Sequence, residues 1–208
     1  DVYKRQNLNG AGTTGRLFVN GIEVDSATTN NAFGVTRKVI VNLGPGSLVD
    51  LALAPLGVDG TEIDGSDGSA FWMHIDSDFD CNALQPAGVV TDAFAAWSPD
   101  GTQNENGWSY GYYDVRGDVE TGDGVYSADD FVEFLNDGSG AVSETNHWDG
   151  GKFDLLDNGP AGAGPWTEIS RGGGHPAANG QTDVQVQWAV RRWASEIDGP
   201  ARIRGQFS

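Results

Sequence analysis

The sequence has 208 residues, of which 31 are glycine, and it carries 30 acidic against 12 basic side chains for a formal net charge of −18. A field of that sign repels phosphate backbones, so nucleic acid is excluded as an expected partner. Cys81 is the one cysteine, which excludes an intrachain disulfide and a cysteine-based zinc site. No apolar run reaches the roughly 18 residues of a transmembrane helix, and we expect no membrane insertion.

From residue 16 onward the sequence predicts short strands joined by tight or polar turns. The segment RLFVNGIEV predicts a hairpin with a type I′ turn at Asn20-Gly21, and RKVIVNL, LVDLALAPL and AFWMHID follow as alternating strands. Residues 76–104 are mostly loop, after which GWSYGYYDV predicts an aromatic strand. SADDFVEFL (127–135) predicts the one helix, because Ser127 can cap it and its apolar residues share a face.

The remaining strands predicted are GKFDLL, PWTEIS, DVQVQWAVRRW and ARIRGQF, which bring the total to about ten. Each apolar face is only a few residues long, so two sheets must stack to bury them. The predicted fold class is therefore all-β: a jelly-roll-like β-sandwich with one short helix in an acidic insertion at 114–147.

Several segments of the second half of the chain resemble a known module. NENGWSYGYY, KFDLL, Trp166, His175-Pro176, VQVQWAV and ARIRGQF are similar to the first half of a β-sandwich repeat module of large secreted bacterial proteins, typical of Planctomycetes and their relatives. RLFVNGIEV, VDLALAPLG and SAFWMHI are similar to its second half. The resemblance implies a secreted or cell-surface location and a structural role, and it carries no catalytic signature.

The two halves stand in the opposite order to that of the module. Residues 7–75 resemble the end of one module and residues 95–208 the beginning of another, and together they are expected to form one sandwich unit. Residues 1–6, DVYKRQ, fit nothing after them and are expected to be a non-native leader. The insertion at 114–147 departs from the module's pattern.

Three arrangements follow from this permuted order. The chain is a window cut from a tandem array, or one subunit completes its sandwich with strands of the next and forms filaments. Alternatively, a single chain closes on itself, because its two halves are complementary. In the first two arrangements the exposed half-sheets need partners, since bare sheet edges aggregate.

The segment DSDFDCN predicts a calcium site. It places hard oxygen ligands at every second position of a loop, where they can converge on one ion. The predicted ligands are Asp76, Asp78, Asp80 and Asn82. A solvated acidic loop is the alternative.

A second acidic segment, GDVETGDGVYSADDF, resembles a dockerin calcium loop. One extra residue between Asp118 and Asp123 moves the upstream ligands out of register, so a working dockerin is not expected. A single calcium ion held by Asp118, Asp123 and Asp129 is the prediction here, with a plain helix start as the alternative. Ca²⁺ is therefore the expected cofactor.

Aromatic residues in the middle of the chain predict glycan binding, since exposed Trp and Tyr rings stack on sugars. The predicted sugar-binding residues are Trp148, Trp97, Tyr112 and Tyr113, of which Trp148 in NHWDGG is the most loop-like. Large aromatic side chains also dominate sandwich interiors, and Trp108, Trp166 and Trp188 are expected in the core.

Catalytic motifs are not apparent in the sequence. Its three histidines are scattered, and it has no Gly-x-Ser-x-Gly, His-Glu-x-x-His or phosphate-binding loop. We therefore expect a non-enzymatic structural subunit of a repeat or filament-forming surface protein, with copies of itself or adjacent repeats as partners. The alternative is a carbohydrate-binding module of a secreted polysaccharide-degrading system.

Overall fold

A computed structural model describes most of the chain. The described residues are 11–31, 33–62, 68–77, 88–155, 165–178 and 186–208. The leader predicted at residues 1–6 lies outside these ranges, as do Asp78, Asp80 and Asn82 of the first predicted calcium loop.

Fourteen strands and one α-helix occur in the described ranges. In chain order the strands are β1 (Thr13–Val19), β2 (Ile22–Thr29), β3 (Val35–Leu43), β4 (Leu48–Ala54), β5 (Ser69–Ser77), β6 (Val89–Asp92), β7 (Trp108–Asp114), β8 (Val132–Glu133), β9 (Lys152–Asp154), β10 (Glu168–Ser170), β11 (Gly173–His175), β12 (Ala177–Ala178), β13 (Val186–Ala194) and β14 (Gly199–Phe207). The helix α1 covers Val115–Thr121, and Ala128–Asp130 form a 3₁₀ turn.

The strands form two antiparallel sheets of seven strands each, packed face to face. Sheet A has the order β2-β1-β4-β13-β7-β8, with β12 also paired to β13. Sheet B has the order β3-β14-β5-β11-β10-β9, with β6 also paired to β5. The predicted all-β sandwich with one short helix in the acidic insertion is confirmed.

Strands from the two ends of the sequence pair with each other in both sheets. In sheet B, β14 lies between β3 and β5, with Ile203 opposite Val39 on one side and Ile75 on the other. In sheet A, β13 lies between β4 and β7 along most of its length. The strands resembling the two half-modules are thus paired within one chain, as in the closed arrangement.

The main core lies between the inner faces of the two sheets. Large buried side chains from both sheets meet there, including Leu51, Phe71, Ile75, Trp108 and Ile203. A close approach fixes the sheets at one end, because a Cβ atom on Gly15 of β1 would lie 2.2 Å from the Phe207 ring of β14. The Phe207 ring therefore packs directly on backbone that only glycine leaves uncovered.

A second apolar cluster covers the outer face of sheet A beneath the acidic insertion. Phe18, Ala52 and Val190 of the sheet contact Tyr113 and Tyr126 there. This coverage removes one outer sheet face from water, which a free-standing sandwich would leave exposed.

The insertion is anchored on the sheet by a buried ion pair. The Asp50 carboxylate, 0% exposed, accepts hydrogen bonds from Arg192 at 2.7 and 2.8 Å. The Tyr126 hydroxyl donates to the same carboxylate at 2.7 Å. Arg192 also donates to the Ala128 carbonyl at 2.9 Å and lies 4.2 Å from the centre of the Phe131 ring. The hydrogen bonds tie the sheet to Tyr126 and Ala128, and the Phe131 ring adds a contact after the 3₁₀ turn.

The predicted position of the helix, 127–135, is wrong. After the 3₁₀ turn the backbone of Phe131 is extended, and Val132–Glu133 form β8, which pairs with Gly111 and Tyr112 of β7. Pairing with the sheet and burial of Phe134 in the main core outweigh the weak helix preference of so short a segment. The helix instead begins after Asp114, whose side chain accepts hydrogen bonds from the backbone of the first turn.

Candidate functional site: a buried arginine between the sheets

Arg191 on β13 is fully buried in the interior of the sandwich. It has 0% exposure and lies opposite Leu51 of β4 and Tyr110 of β7. Side chains alternate along a strand, so Arg191 shares the inner face of sheet A with Ala189 and Trp193, both members of the main core. A charged side chain in this position is unusual, because arginine is rarely buried without a charged partner.

Three aromatic rings surround the guanidinium. Its central carbon lies 5.2 Å from the centre of the Phe71 ring and 5.6 Å from those of Trp97 and Tyr110. Ring faces carry partial negative charge, and such a contact stabilises a desolvated cation by about 2 kcal/mol. We call Arg191 and these three aromatic residues the arginine cage.

Hydrogen bonds satisfy only part of the guanidinium. Nη2 donates to the backbone carbonyls of Ser170, Arg171 and Gly173, in the turn that joins β10 to β11. Nε and Nη1 are buried and have no acceptor among the described residues, and neither does the buried hydroxyl of Tyr110. Each unpaired buried donor costs on the order of 1–3 kcal/mol.

Burial changes the pKa values of both polar members of the cage. It lowers the pKa of Arg191 to about 10, because loss of water disfavours the charged form, and the Tyr110 hydroxyl opposes this in part. Burial raises the pKa of Tyr110 to about 12, and the nearby Arg191 charge opposes that rise. At neutral pH the cage therefore holds a guanidinium cation beside a neutral phenol.

The aromatic residues predicted to bind sugar do not form an exposed platform. Trp148 is 4% exposed and Tyr113 is 1% exposed, so the prediction that they are surface residues is wrong. The Trp148 ring packs at 4.9 Å from Phe153 and at 6.0 Å from Trp97, measured between ring centres. Trp97 and Tyr112 are half-buried. The Trp148 ring thus packs beside the arginine cage in the main core, whereas Tyr113 belongs to the apolar cluster on the outer face of sheet A.

The expected core tryptophans are confirmed in part. Trp108 is fully buried, and Trp188 is half-buried against the cluster beneath the insertion. Trp166 is 37% exposed, and the expectation that it belongs to the core is wrong.

Asp76, the first predicted calcium ligand, belongs to a charged network on the outer face of sheet B. It is 1% exposed and accepts hydrogen bonds from Arg202 at 2.8 Å and from His74 at 2.8 Å. Arg204 lies 3.1 Å away, and the other ring nitrogen of His74 contacts Asp92 at 2.9 Å. Burial raises the pKa of Asp76, but its hydrogen bonds with Arg202 and His74 outweigh this, so the pKa lies below the usual value.

Cationic side chains thus already neutralise Asp76, and a calcium ion would have to compete with them. The other predicted ligands of this loop lie outside the described residues, so calcium binding there stays a prediction.

The acidic residues of the insertion serve local hydrogen bonds. Asp118 accepts from the Tyr113 hydroxyl at 2.9 Å, and Asp123 accepts from the Val125 amide at 2.9 Å. Asp129 is exposed in the 3₁₀ turn. In the ranges that the structure describes, no group of three or more His, Cys, Asp or Glu side chains is arranged to hold a metal ion. A calcium ion at these three residues stays a prediction.

Sequence reasoning did not find Arg191 or Asp50. The alternation Val186, Trp188, Val190 suggests that these residues face the main core. In the structure Trp188 and Val190 lie on the outer face of sheet A, where the insertion covers them, and Ala189 and Trp193 lie on the inner face. Trp193 is two residues after Arg191 and therefore lies on the same face of β13. A tryptophan at that position was the sequence signal that this face is buried.

No helix within the described ranges has both the length and the apolar character needed to cross a membrane. Comparisons with protein-family models, with curated proteins and with solved structures gave no match to this chain.

Proposed function

We propose that the chain is a non-enzymatic structural β-sandwich unit of a repeat or filament-forming surface protein, joined to its neighbours by pairing of edge strands. The observation that carries this proposal is the side of the sandwich formed by β2 and β3. Each of them has a partner strand along one edge only, within the described residues. A strand with an unpaired edge is a template for another strand. A location outside the cell is part of the proposal and is supported by the resemblance to the secreted repeat module.

The edge of β3 is long and regular. All nine of its residues pair in register with β14, without a bulge or a proline. Edge strands of monomeric proteins are usually shortened, bulged or interrupted, because a regular edge invites association. Ile40, at the middle of β3, is 59% exposed, and Ile22, at the start of β2, is 70% exposed. Apolar side chains in these positions favour a partner strand.

The two edges carry charges of opposite sign. Glu23 and Asp25 lie on β2, whereas Arg37 and Lys38 lie on β3. Arg37 donates to Asp25 at 2.6 and 2.8 Å, which holds the two edges side by side. A two-fold arrangement would set the acidic β2 of each copy against the basic β3 of the other and join two copies into a pair. A longer assembly would also use the opposite edges of the sheets, β8 and β9.

Strand donation is not part of this proposal. β14, which carries the ARIRGQF segment, pairs with β3 and β5 of its own chain. Neighbouring units would therefore meet at the outer edges of complete sandwiches.

The test is the oligomeric state as a function of protein concentration, measured by sedimentation equilibrium at physiological salt. Salt is needed because a net charge of −18 drives copies apart when it is not screened. We expect reversible association of the wild-type chain and its loss in Ile40→Lys, which places a charge on the unpaired edge. Val58→Lys is the matched control, since Val58 is 54% exposed but lies outside the strands.

A wild-type chain that stays monomeric up to millimolar concentration would overturn the edge-pairing proposal. So would equal loss of association in Ile40→Lys and Val58→Lys, because the effect would then follow net charge rather than the edge of β3.

A further inference from the structure

We propose that the arginine cage binds one small monovalent anion, held between the guanidinium of Arg191 and the hydroxyl of Tyr110. This inference is independent of the proposed role in assembly. It rests on the three buried donors without an acceptor in this part of the core.

The strand register brings these donors together. Arg191 and Tyr110 are direct cross-strand neighbours of β13 and β7. Both side chains project from the same inner face, with Cβ atoms about 5 Å apart as in any antiparallel pair. Their polar ends therefore lie in one region between the sheets, near the ring of Phe71.

The chemistry of the donors selects an anion over water. Nε and Nη1 of Arg191 can only donate, and the Tyr110 hydroxyl has a proton that no described residue accepts. A water molecule would accept one or two of these hydrogen bonds but would bring two protons that need acceptors of their own. A halide ion only accepts, so it can accept from the Tyr110 hydroxyl and from one of the two free guanidinium nitrogens without adding a new unpaired group.

The charge balance leads to the same ligand. An isolated buried cation is costly, and proteins usually pair it with a counter-ion. Backbone carbonyls and ring faces offset part of the Arg191 charge, but no carboxylate in the described ranges accepts a hydrogen bond from its guanidinium. One monovalent anion would neutralise the cage. Chloride is the candidate of this class present in ordinary salt solutions.

Trp97 is the most accessible member of the cage. It is half-buried, whereas Phe71 and Tyr110 are essentially inaccessible. Its ring centre lies 4.6 Å from that of Tyr110 and 5.6 Å from the central carbon of the guanidinium. We therefore expect an anion to exchange with solvent on the Trp97 side.

The first experiment measures thermal unfolding of the full chain in sodium chloride, bromide and gluconate at equal ionic strength. Gluconate is too large for a site enclosed by rings and serves as the reference. At a halide concentration of 100 times the Kd, we expect Tm to rise by about 5 °C or more. Equal Tm values in all three salts would overturn the proposal.

Two variants locate the effect. Tyr110→Phe should reduce the halide-dependent rise, and Arg191→Met should abolish it. Arg116→Met, in α1 and outside both the cage and the β2/β3 edges, should keep the full rise. If no anion binds, Tyr110→Phe only deletes an unpaired buried hydroxyl, and its Tm exceeds that of the wild type by the same amount in every salt. That result, or loss of the rise in Arg116→Met, would contradict the proposal.

A direct measurement remains decisive if Arg191→Met fails to fold. Crystals of the wild-type chain grown in sodium bromide should show an anomalous scattering peak within hydrogen-bonding distance of Arg191 Nε or Nη1. A cage that contains water or nothing at saturating bromide would overturn the proposal.

Discussion

The buried ion pair between Asp50 and Arg192 should be strongly coupled and should control the attachment of the acidic insertion. Asp50 is 0% exposed and its carboxylate is held by Arg192 and by the Tyr126 hydroxyl, all within 2.8 Å. The perturbation is a double-mutant cycle with Arg192→Met, Asp50→Leu and the double variant. Arg192→Met leaves a buried carboxylate with one neutral donor, whereas the double variant leaves no charge.

The expected magnitudes follow from these contacts. Removing one partner of a buried pair costs about 3–5 kcal/mol, because the other charge stays desolvated. Asp50→Leu should fall at the lower end of that range, since Arg192 keeps the Ala128 carbonyl and the Phe131 ring. The double variant should be more stable than Arg192→Met alone. The coupling energy between Asp50 and Arg192 from this cycle should be on the order of 2–3 kcal/mol.

The assay is urea unfolding of the four proteins, with limited proteolysis of the insertion as a second readout. Arg192→Met should increase cleavage around Tyr126 and Ala128, because the ion pair ties these two residues to sheet A. The exposed pair Arg37–Asp25 has similar distances and serves as the control cycle, with an expected coupling of about 1 kcal/mol or less. Additive effects at Asp50 and Arg192, or equal coupling in both cycles, would refute the reasoning.

Three further predictions concern the core and its pH dependence. Gly15→Val should destabilise the fold by about 1–3 kcal/mol or more, because the new side chain meets the Phe207 ring. Trp148→Ala should cost about 3–5 kcal/mol in urea unfolding, since its ring is buried. Burial lowers the pKa of His147, whose Nδ1 accepts from the Leu135 amide. The unfolded chain therefore takes up this proton first, and stability should fall between pH 7 and 5, by at most about 1.4 kcal/mol per unit.

Each of these has its own control. Gly88→Val should be tolerated, because a Cβ atom there meets nothing within 4 Å. A Trp148→Ala chain with unchanged stability would show that the ring is not in the core. His147→Asn should flatten the pH dependence between pH 7 and 5, and an unchanged slope would assign the proton uptake to another group.

Much of the sandwich is predictable because local signals agree with the fold. The hairpin turn at Asn20-Gly21 is confirmed, since both residues have the positive φ of a type I′ turn. The faces of β5 and β14 are also confirmed, with Met73 and Ile203 in the core. These strands have one apolar and one polar face, so their period fixes which side is buried.

The outer face of sheet A could not be predicted in this way. The insertion buries it, so β4 and β13 are covered on both sides and their alternation no longer identifies the inner face. The sequence of β13 therefore suggests that Arg191 faces solvent, whereas in the structure its side chain points into the core. The prediction of a helix at 127–135 is wrong for a related reason, because Phe134 is buried in the core.

The position of β14 between β3 and β5 has a consequence for the order of folding. The later of its two partner strands, β5, ends at Ser77, whereas β14 begins at Gly199. A ribosome adding about 5–20 residues per second needs roughly 6–24 s to cover that interval. Until then β3 and β5 have no central strand between them, and the slow, non-local pairing of a high-contact-order fold must follow. The nascent chain thus depends on a late-made strand, and chaperones that protect exposed strand edges should raise its folding yield.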